Sequence, residues 1–223
     1  MTTPKAVVFD LGKVLLDFDY GIAIARIQKR CRLSLSELHA LIDQSPLLLR
    51  YESNALSTAE FFAEVQAASG FCGDLDEFRG LFSDIFTAIG PMEQLHGELH
   101  RRGVPTFIFS NTNEIAMAHI RARFPFLRNF DGYVLSYEHN AMKPDPSLYG
   151  VVEQTTGQRG PDLLYIDDRP ENVAGGQARG WQTILHRTPE GTKAAVIQTG
   201  LLGVAPPATG LEIQFADKSA SRE

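Results

Sequence analysis

The sequence predicts an α/β protein: a doubly wound, Rossmann-like parallel sheet with a helical cap inserted after its first strand. Three observations predict it. Short apolar runs recur along the chain, helical segments separate the later ones, and residues 18–90 carry helical patterning with no convincing strand. The runs are Ala6–Phe9, Pro105–Phe109, Tyr133–Leu135, Leu163–Ile166 and Gln182–Leu185. Each is too short for a helix and rich in β-branched or aromatic residues, as strands buried on both faces are. Between them, Pro91–His100 ends in two arginines and Gly103, and Glu114–Arg123 stops before Pro125. Pro146–Thr156 opens on proline and stops at Gly157, and Glu171–Arg179 stops at Gly180. These are helix start and stop signals. Strands alternating with helices imply right-handed crossovers and a parallel sheet.

The inserted stretch reads as about four helices in series, a helical unit of its own. Start signals stand at Ser34-x-x-Glu37 and Ser57-x-x-Glu60, which fit a capping box, and at Asp74-x-x-Glu77, a looser relative. The expected division is therefore residues 1–17 and 91–223 for the α/β core and 18–90 for the cap. Thr192–Leu201 reads as a last helix. The segment with Pro206, Pro207 and Gly210 reads as irregular, and Asp217–Glu223 as a fraying end.

Composition narrows the function. The chain has 223 residues, 43% hydrophobic and 22% charged, with a net charge of −6. That is ordinary globular composition with enough length for a sizeable core. A mildly acidic chain lacks the basic face that nucleic acid or anionic lipid selects, so neither is an expected partner. Cys31 and Cys72 are too few for a disulfide framework or a zinc site and read as reduced thiols. No apolar run approaches a membrane span, and Met1–Lys5 leads straight into a short strand rather than a secretory leader. The expected location is the cytoplasm.

Polar groups collect at the carboxyl ends of the predicted strands, the edge where open α/β sheets bind ligands. Asp10 ends the first run, Ser110 the second, and Asp167-Asp168 the fourth; Lys143 precedes a helix in Met142-Lys143-Pro144-Asp145-Pro146. Taken singly, Asp10 and Ser110 read as helix caps or turn residues and Lys143 as a solvated loop lysine. Adjacent aspartates at the end of a buried strand are different, because they repel unless a cation compensates. Carboxylate, hydroxyl, ammonium and paired carboxylates, in that order at one edge, make a coherent set.

That order resembles the four motifs of the haloacid dehalogenase superfamily. Phe9-Asp10-Leu11-Gly12-Lys13-Val14-Leu15 is similar to the first motif, and Ser110-Asn111-Thr112-Asn113 to the second. Lys143-Pro144-Asp145-Pro146 with Tyr149 is similar to the third, and Asp167-Asp168 with Asn172 to the fourth. The wording resembles the branch of α-D-glucose-1-phosphate phosphatase and of some epoxide hydrolase amino-terminal domains. The resemblance runs to about Leu201. It implies a strand order with the first strand between the second and the fourth. It also implies a phosphatase acting on a small phosphorylated metabolite, with a sugar 1-phosphate as the substrate its branch suggests. Asp10 would attack phosphorus, and Ser110, the Asn111 backbone N–H and Lys143 would hold the phosphoryl oxygens. Mg2+ would be held by Asp10, the Gly12 carbonyl oxygen and Asp168, with Asp167 direct or through water.

One position departs from the pattern. The family's phosphatases usually carry a second Asp two residues after the nucleophile as general acid and base, and this chain has Gly12 there. A general acid contributes about 10²–10⁴-fold, so esters with good leaving groups are the expected substrates. Asp17 or Asp19 folding back as a substitute is weaker than their reading as solvated residues. Two further readings stay open: a 2-haloacid dehalogenase, which has no need of the paired late acids, and a catalytically weak phosphate- or partner-binding module.

Overall fold

The computed structural model describes residues 2–43 and 45–203. In chain order the elements are β1 (Ala6–Phe9), β2 (Leu16–Phe18), α1 (Tyr20–Gln28), α2 (Leu35–Ile42), α3 (Pro46–Glu52), α4 (Thr58–Ser69), α5 (Leu75–Ser83) and β3 (Phe86–Ala88). They continue with α6 (Gly90–Arg101), β4 (Thr106–Ser110), α7 (Glu114–Arg123), β5 (Gly132–Leu135), α8 (Ser136–His139) and α9 (Pro146–Thr156). The last are β6 (Leu163–Asp167), α10 (Pro170–Ala178), β7 (Gln182–Leu185) and α11 (Pro189–Gln198).

Five strands form one parallel sheet in the order β5-β4-β1-β6-β7. β1 is central, between β4 and β6, with Phe9 level with Ile108 on one side and Ile166 on the other. All four of its residues are buried, and alternate ones serve opposite faces, as the period of two requires. Val7 and Phe9 join Met92, Leu95, Met117 and Val196 from α6, α7 and α11. Ala6 and Val8 join Leu148, Tyr149 and Val152 of α9, with Trp181. Burial of each such side chain stabilises by about 1.5–3 kcal/mol, so the two-sided apolar run explains why this strand is the centre.

Helices α1–α5 surround an apolar cluster of their own, including Ile24, Leu38, Phe61, Phe78 and Phe82, which Ile115 of α7 joins from the sheet side. Ser34 and Ser57 form capping boxes with Glu37 and Glu60, whereas Asp74 only accepts from the Glu77 N–H. Two expectations need correction here. The stretch holds five helices, and it is bracketed by a two-stranded antiparallel ladder, with Leu16 opposite Ala88 and Phe18 opposite Phe86. Strands of three residues are too short to show a period. The last helix starts at Pro189 rather than Thr192. The readings for residues 206–223 lie outside the described residues. Among those described, no helix is long and apolar enough to cross a membrane.

Candidate active site

Asp10 follows the central strand, where its backbone N–H still donates to Ile166 O at 2.8 Å. Its side chain turns back so that Oδ1 accepts from the Leu11 N–H at 2.8 Å. Lys143 reaches the same oxygen from the loop before α9, Nζ to Oδ1 at 2.9 Å. That ammonium also donates to Phe109 O at 2.9 Å and to Asp167 Oδ2 at 2.7 Å, which engages all three of its N–H bonds. The Lys143 and Asp167 side chains are 1% and 0% exposed, so little water screens the pair.

Carboxylate oxygens of Asp10, Asp167 and Asp168 lie within 4.8 Å of one another. Their electrostatics differ. Burial pushes Asp10 up to about 7, with Asp167 and Asp168 adding repulsion and Lys143 opposing it. Burial, then Asp167, also raises Asp168. Asp167 goes the other way: burial works against its charge, but Lys143, Tyr165 and the Arg169 N–H hold it below the usual carboxylate range. Lys143 is held above its ordinary value by Asp10 and Asp167 despite the cost of burial. The site thus has one ammonium for three carboxylates, all hard oxygen donors. That donor set fits a small divalent cation.

Asp167 has little to offer such an ion directly. Its Oδ2 accepts from Lys143 and the Tyr165 hydroxyl, its Oδ1 from the Arg169 N–H at 2.9 Å, and Asn172 Nδ2 stands 3.1 and 3.2 Å from the two oxygens. Asp168 is partly exposed beside Asp10. The buried Ser110 ends β4 on the neighbouring strand. The Asn111 side chain has a task that its sequence position did not reveal. Its Oδ1 accepts from the Lys143 N–H at 2.8 Å and its Nδ2 donates to Lys143 O at 3.1 Å, clamping the loop that carries the ammonium.

The sequence agrees with this arrangement at the level of the whole chain. Residues 4–180 match the model of the haloacid dehalogenase-like hydrolases. The chain belongs to that family.

Among relatives of these haloacid dehalogenase-like hydrolases, a D-ribitol-5-phosphate phosphatase of Bacteroides thetaiotaomicron is 23% identical over 80% of this chain and 90% of its own. A sesquiterpene phosphatase of Aspergillus oryzae is 26% identical over 80% and 88%. Phosphatase MT3486 of Mycobacterium tuberculosis is 26% identical over 81% and 86%. A structure of a B. thetaiotaomicron family enzyme with magnesium and inorganic phosphate superposes with a TM-score of 0.73, at 22% identity, covering 82% and 94%. An L-2-haloacid dehalogenase of Xanthobacter autotrophicus superposes at 0.57, at 18% identity over 81% and 76%. At such identities these likenesses speak for the fold.

The place beyond Gly12 is filled. A Cβ built there would meet Phe18 Cε1 at 2.8 Å. The Phe18 ring packs edge-on against Tyr20 at 5.7 Å and at a tilt against Phe86 at 6.0 Å, with Lys13 Nζ 4.7 Å from its centroid. Asp17 pairs with Lys13 at 2.5 Å, and Asp19 caps α1 through the Gly21 N–H, so both are occupied outside the carboxylate cluster. Two surface hollows of 330 and 400 Å³ lie elsewhere, one against Arg79 and His119, the other against Arg102 and Lys193.

Proposed function

We propose that this chain is a magnesium-dependent phosphatase of small phosphate esters with Asp10 as nucleophile. The observation that carries the reading is the cluster itself: a buried aspartate at the end of the central strand, 2.9 Å from a buried lysine and within 4.8 Å of two further carboxylates. The phosphatases among its relatives support it. So does the magnesium-and-phosphate complex of a protein of the same fold.

The Asp10 carboxylate attacks phosphorus, the P–O ester bond breaks, and an aspartyl phosphate forms that water then hydrolyses. Ser110, the Asn111 N–H and Lys143 hold the phosphoryl oxygens, with Lys143 exchanging its bond to Asp10 Oδ1 for one to phosphate. Asp167 and the Asn111 clamp keep the ammonium in place. Asp10, Asp168 and the Gly12 carbonyl oxygen would hold Mg2+, with Asp167 acting on it through water. The ion offsets repulsion between the anionic nucleophile and the anionic substrate. Gly12 leaves the departing oxygen without a carboxyl donor, which favours sugar 1-phosphates over ordinary alkyl esters. Residues 18–90 act as the cap over the core formed by 1–17 and 91–223.

Release of inorganic phosphate from p-nitrophenyl phosphate, with and without magnesium, tests the reading, and Asp10→Asn tests the nucleophile. Magnesium-dependent release that Asp10→Asn abolishes is expected, because a carboxamide is a very poor nucleophile. No release from the unmodified chain overturns the phosphatase. Activity surviving in Asp10→Asn overturns the nucleophile.

A further inference from the structure

The reaction just proposed draws on the loop after β4, and one side chain outside that loop holds it. Ser110 stands level with Leu135 across the parallel pair of β4 and β5, so Ser136 leaves β5 beside Asn111 and Thr112. Ser136 is 0% exposed and Thr112 6%, so water has little access to either. The Thr112 N–H donates to Ser136 Oγ at 3.0 Å. That Oγ in turn stands 2.6 Å from Glu52 O and 3.1 Å from Thr112 O. A hydroxyl has one hydrogen, and the shorter contact takes it. Glu52 ends α3, and its carbonyl is one of those that a helix leaves open at its C-terminus. Through a single oxygen, Ser136 therefore joins the Thr112 N–H to the end of α3.

The peptide between Asn111 and Thr112 is held on both sides. Its oxygen accepts from Ser110 Oγ at 3.3 Å, and its N–H is the one that Ser136 accepts. Asn111 grips the Lys143 backbone at 2.8 and 3.1 Å, and Lys143 Nζ reaches Asp10 Oδ1 at 2.9 Å. An unbroken run of bonds thus leads from Ser136 through Thr112, Asn111 and Lys143 to the nucleophile. The anchor is itself fixed. Near the same end of α3, the Tyr51 hydroxyl accepts from the Ile115 N–H at 3.3 Å, and Asn54 Nδ2 donates to Asn140 Oδ1 at 2.6 Å.

We infer that Ser136 is a positioning residue for the phosphoryl site. It presets the loop of residues 110–113, with α3 as its anchor, so that the Asn111 N–H and Lys143 stand ready for phosphate oxygens. Donors fixed in advance need no reorganisation when the anion arrives. Without the hydroxyl, the buried Thr112 N–H loses its acceptor and the loop must turn to satisfy it, taking Asn111 along. This rests on the phosphatase reading.

The test compares the unmodified chain with Ser136→Ala and Ser136→Cys, the second keeping only a weak donor and acceptor. Titration calorimetry gives the Kd of inorganic phosphate in the presence of magnesium, and steady-state kinetics give kcat and KM for p-nitrophenyl phosphate. Ser136→Ala should weaken phosphate binding about 10-fold and raise KM alongside. A role confined to stability would lower the folded fraction, and with it the binding stoichiometry and maximal rate, while leaving Kd and KM of the folded molecules unchanged. A phosphate Kd within about twofold of the parent in Ser136→Ala overturns the inference. Should that variant fail to fold, Ser136→Cys is read by the same criterion, and failure of both to fold overturns it too. The two readings fail apart: no cleavage by the unmodified chain overturns the phosphatase, whereas cleavage with an unmoved phosphate Kd overturns the role of Ser136 alone.

Discussion

Asp10 and Asp167 share one ammonium yet are pushed in opposite directions. Asp167 is wrapped by Lys143, Tyr165, Asn172 and the Arg169 N–H, whereas Asp10 accepts from the Leu11 N–H and Lys143 on Oδ1 alone and has a raised pKa. The two late aspartates should therefore fail differently. Asp168→Asn should raise the magnesium needed for half-maximal activity more than Asp167→Asn does. Asp167→Asn should instead cost about 3 kcal/mol of stability, since it breaks a buried ion pair. Magnesium titrations and chemical denaturation of both variants check this, and the reverse order would swap their roles. Glu52 supplies a pH test. Its folded value of about 7 lies above that of an exposed glutamate, so the folded state binds the extra proton. Its contribution is thus present at low pH and lost as pH rises from about 4.5 through 7. Compared with the parent, Glu52→Gln should lose about 1–3 kcal/mol less stability between pH 5 and 8. Parallel pH profiles would contradict that.

At the scale of elements, the ladder of β2 and β3 brings Phe18 against Gly12. A carboxylate cannot simply be added back at Gly12, because its Cβ would lie 2.8 Å from the Phe18 ring, which is itself packed on Tyr20 and Phe86. Gly12→Asp alone should destabilise the chain by about 1–3 kcal/mol, as overpacking does. Gly12→Asp combined with Phe18→Ala should recover part of that loss. It should also raise turnover of hexose 6-phosphate relative to Phe18→Ala alone, by giving a poor leaving group its proton. A double-mutant cycle in melting and in kcat/KM reads the coupling. Additive effects would mean that the ring and the position do not compete.

For the molecule as a whole, the proposed cap of residues 18–90 would matter as a cover. A cap over the strand ends excludes water and admits small molecules while rejecting folded ones. With no carboxyl at Gly12, the departing oxygen must carry charge, and an anomeric oxygen does so more readily than a primary alkoxide. Hexose 1-phosphates should accordingly be turned over faster than hexose 6-phosphates, and phosphoproteins not at all. Comparing kcat/KM for glucose 1-phosphate, glucose 6-phosphate and a phosphorylated protein checks it. Equal values for the two sugars would remove the leaving-group argument and leave the nucleophile untouched.

What was legible in the sequence is what local chemistry dictates. β1 and β7 fall where short apolar runs stand between turns, and α7 and α9 where capping residues and helix breakers bracket them. The capping boxes of Ser34 and Ser57 close because both partners lie within one helical turn. The order of Asp10, Ser110, Lys143 and Asp167-Asp168 along the chain already pointed to one sheet edge, because parallel strands place all their carboxyl ends together. The tertiary structure alone decided the rest. The ladder of β2 and β3 pairs residues on either side of the inserted helices, each strand too short to carry a period. The Asn111 clamp on Lys143, the Tyr165 bond to Asp167 and the Phe18 ring at Gly12 depend on which side chains face one another. Facing is set by packing, which no local pattern of residues records.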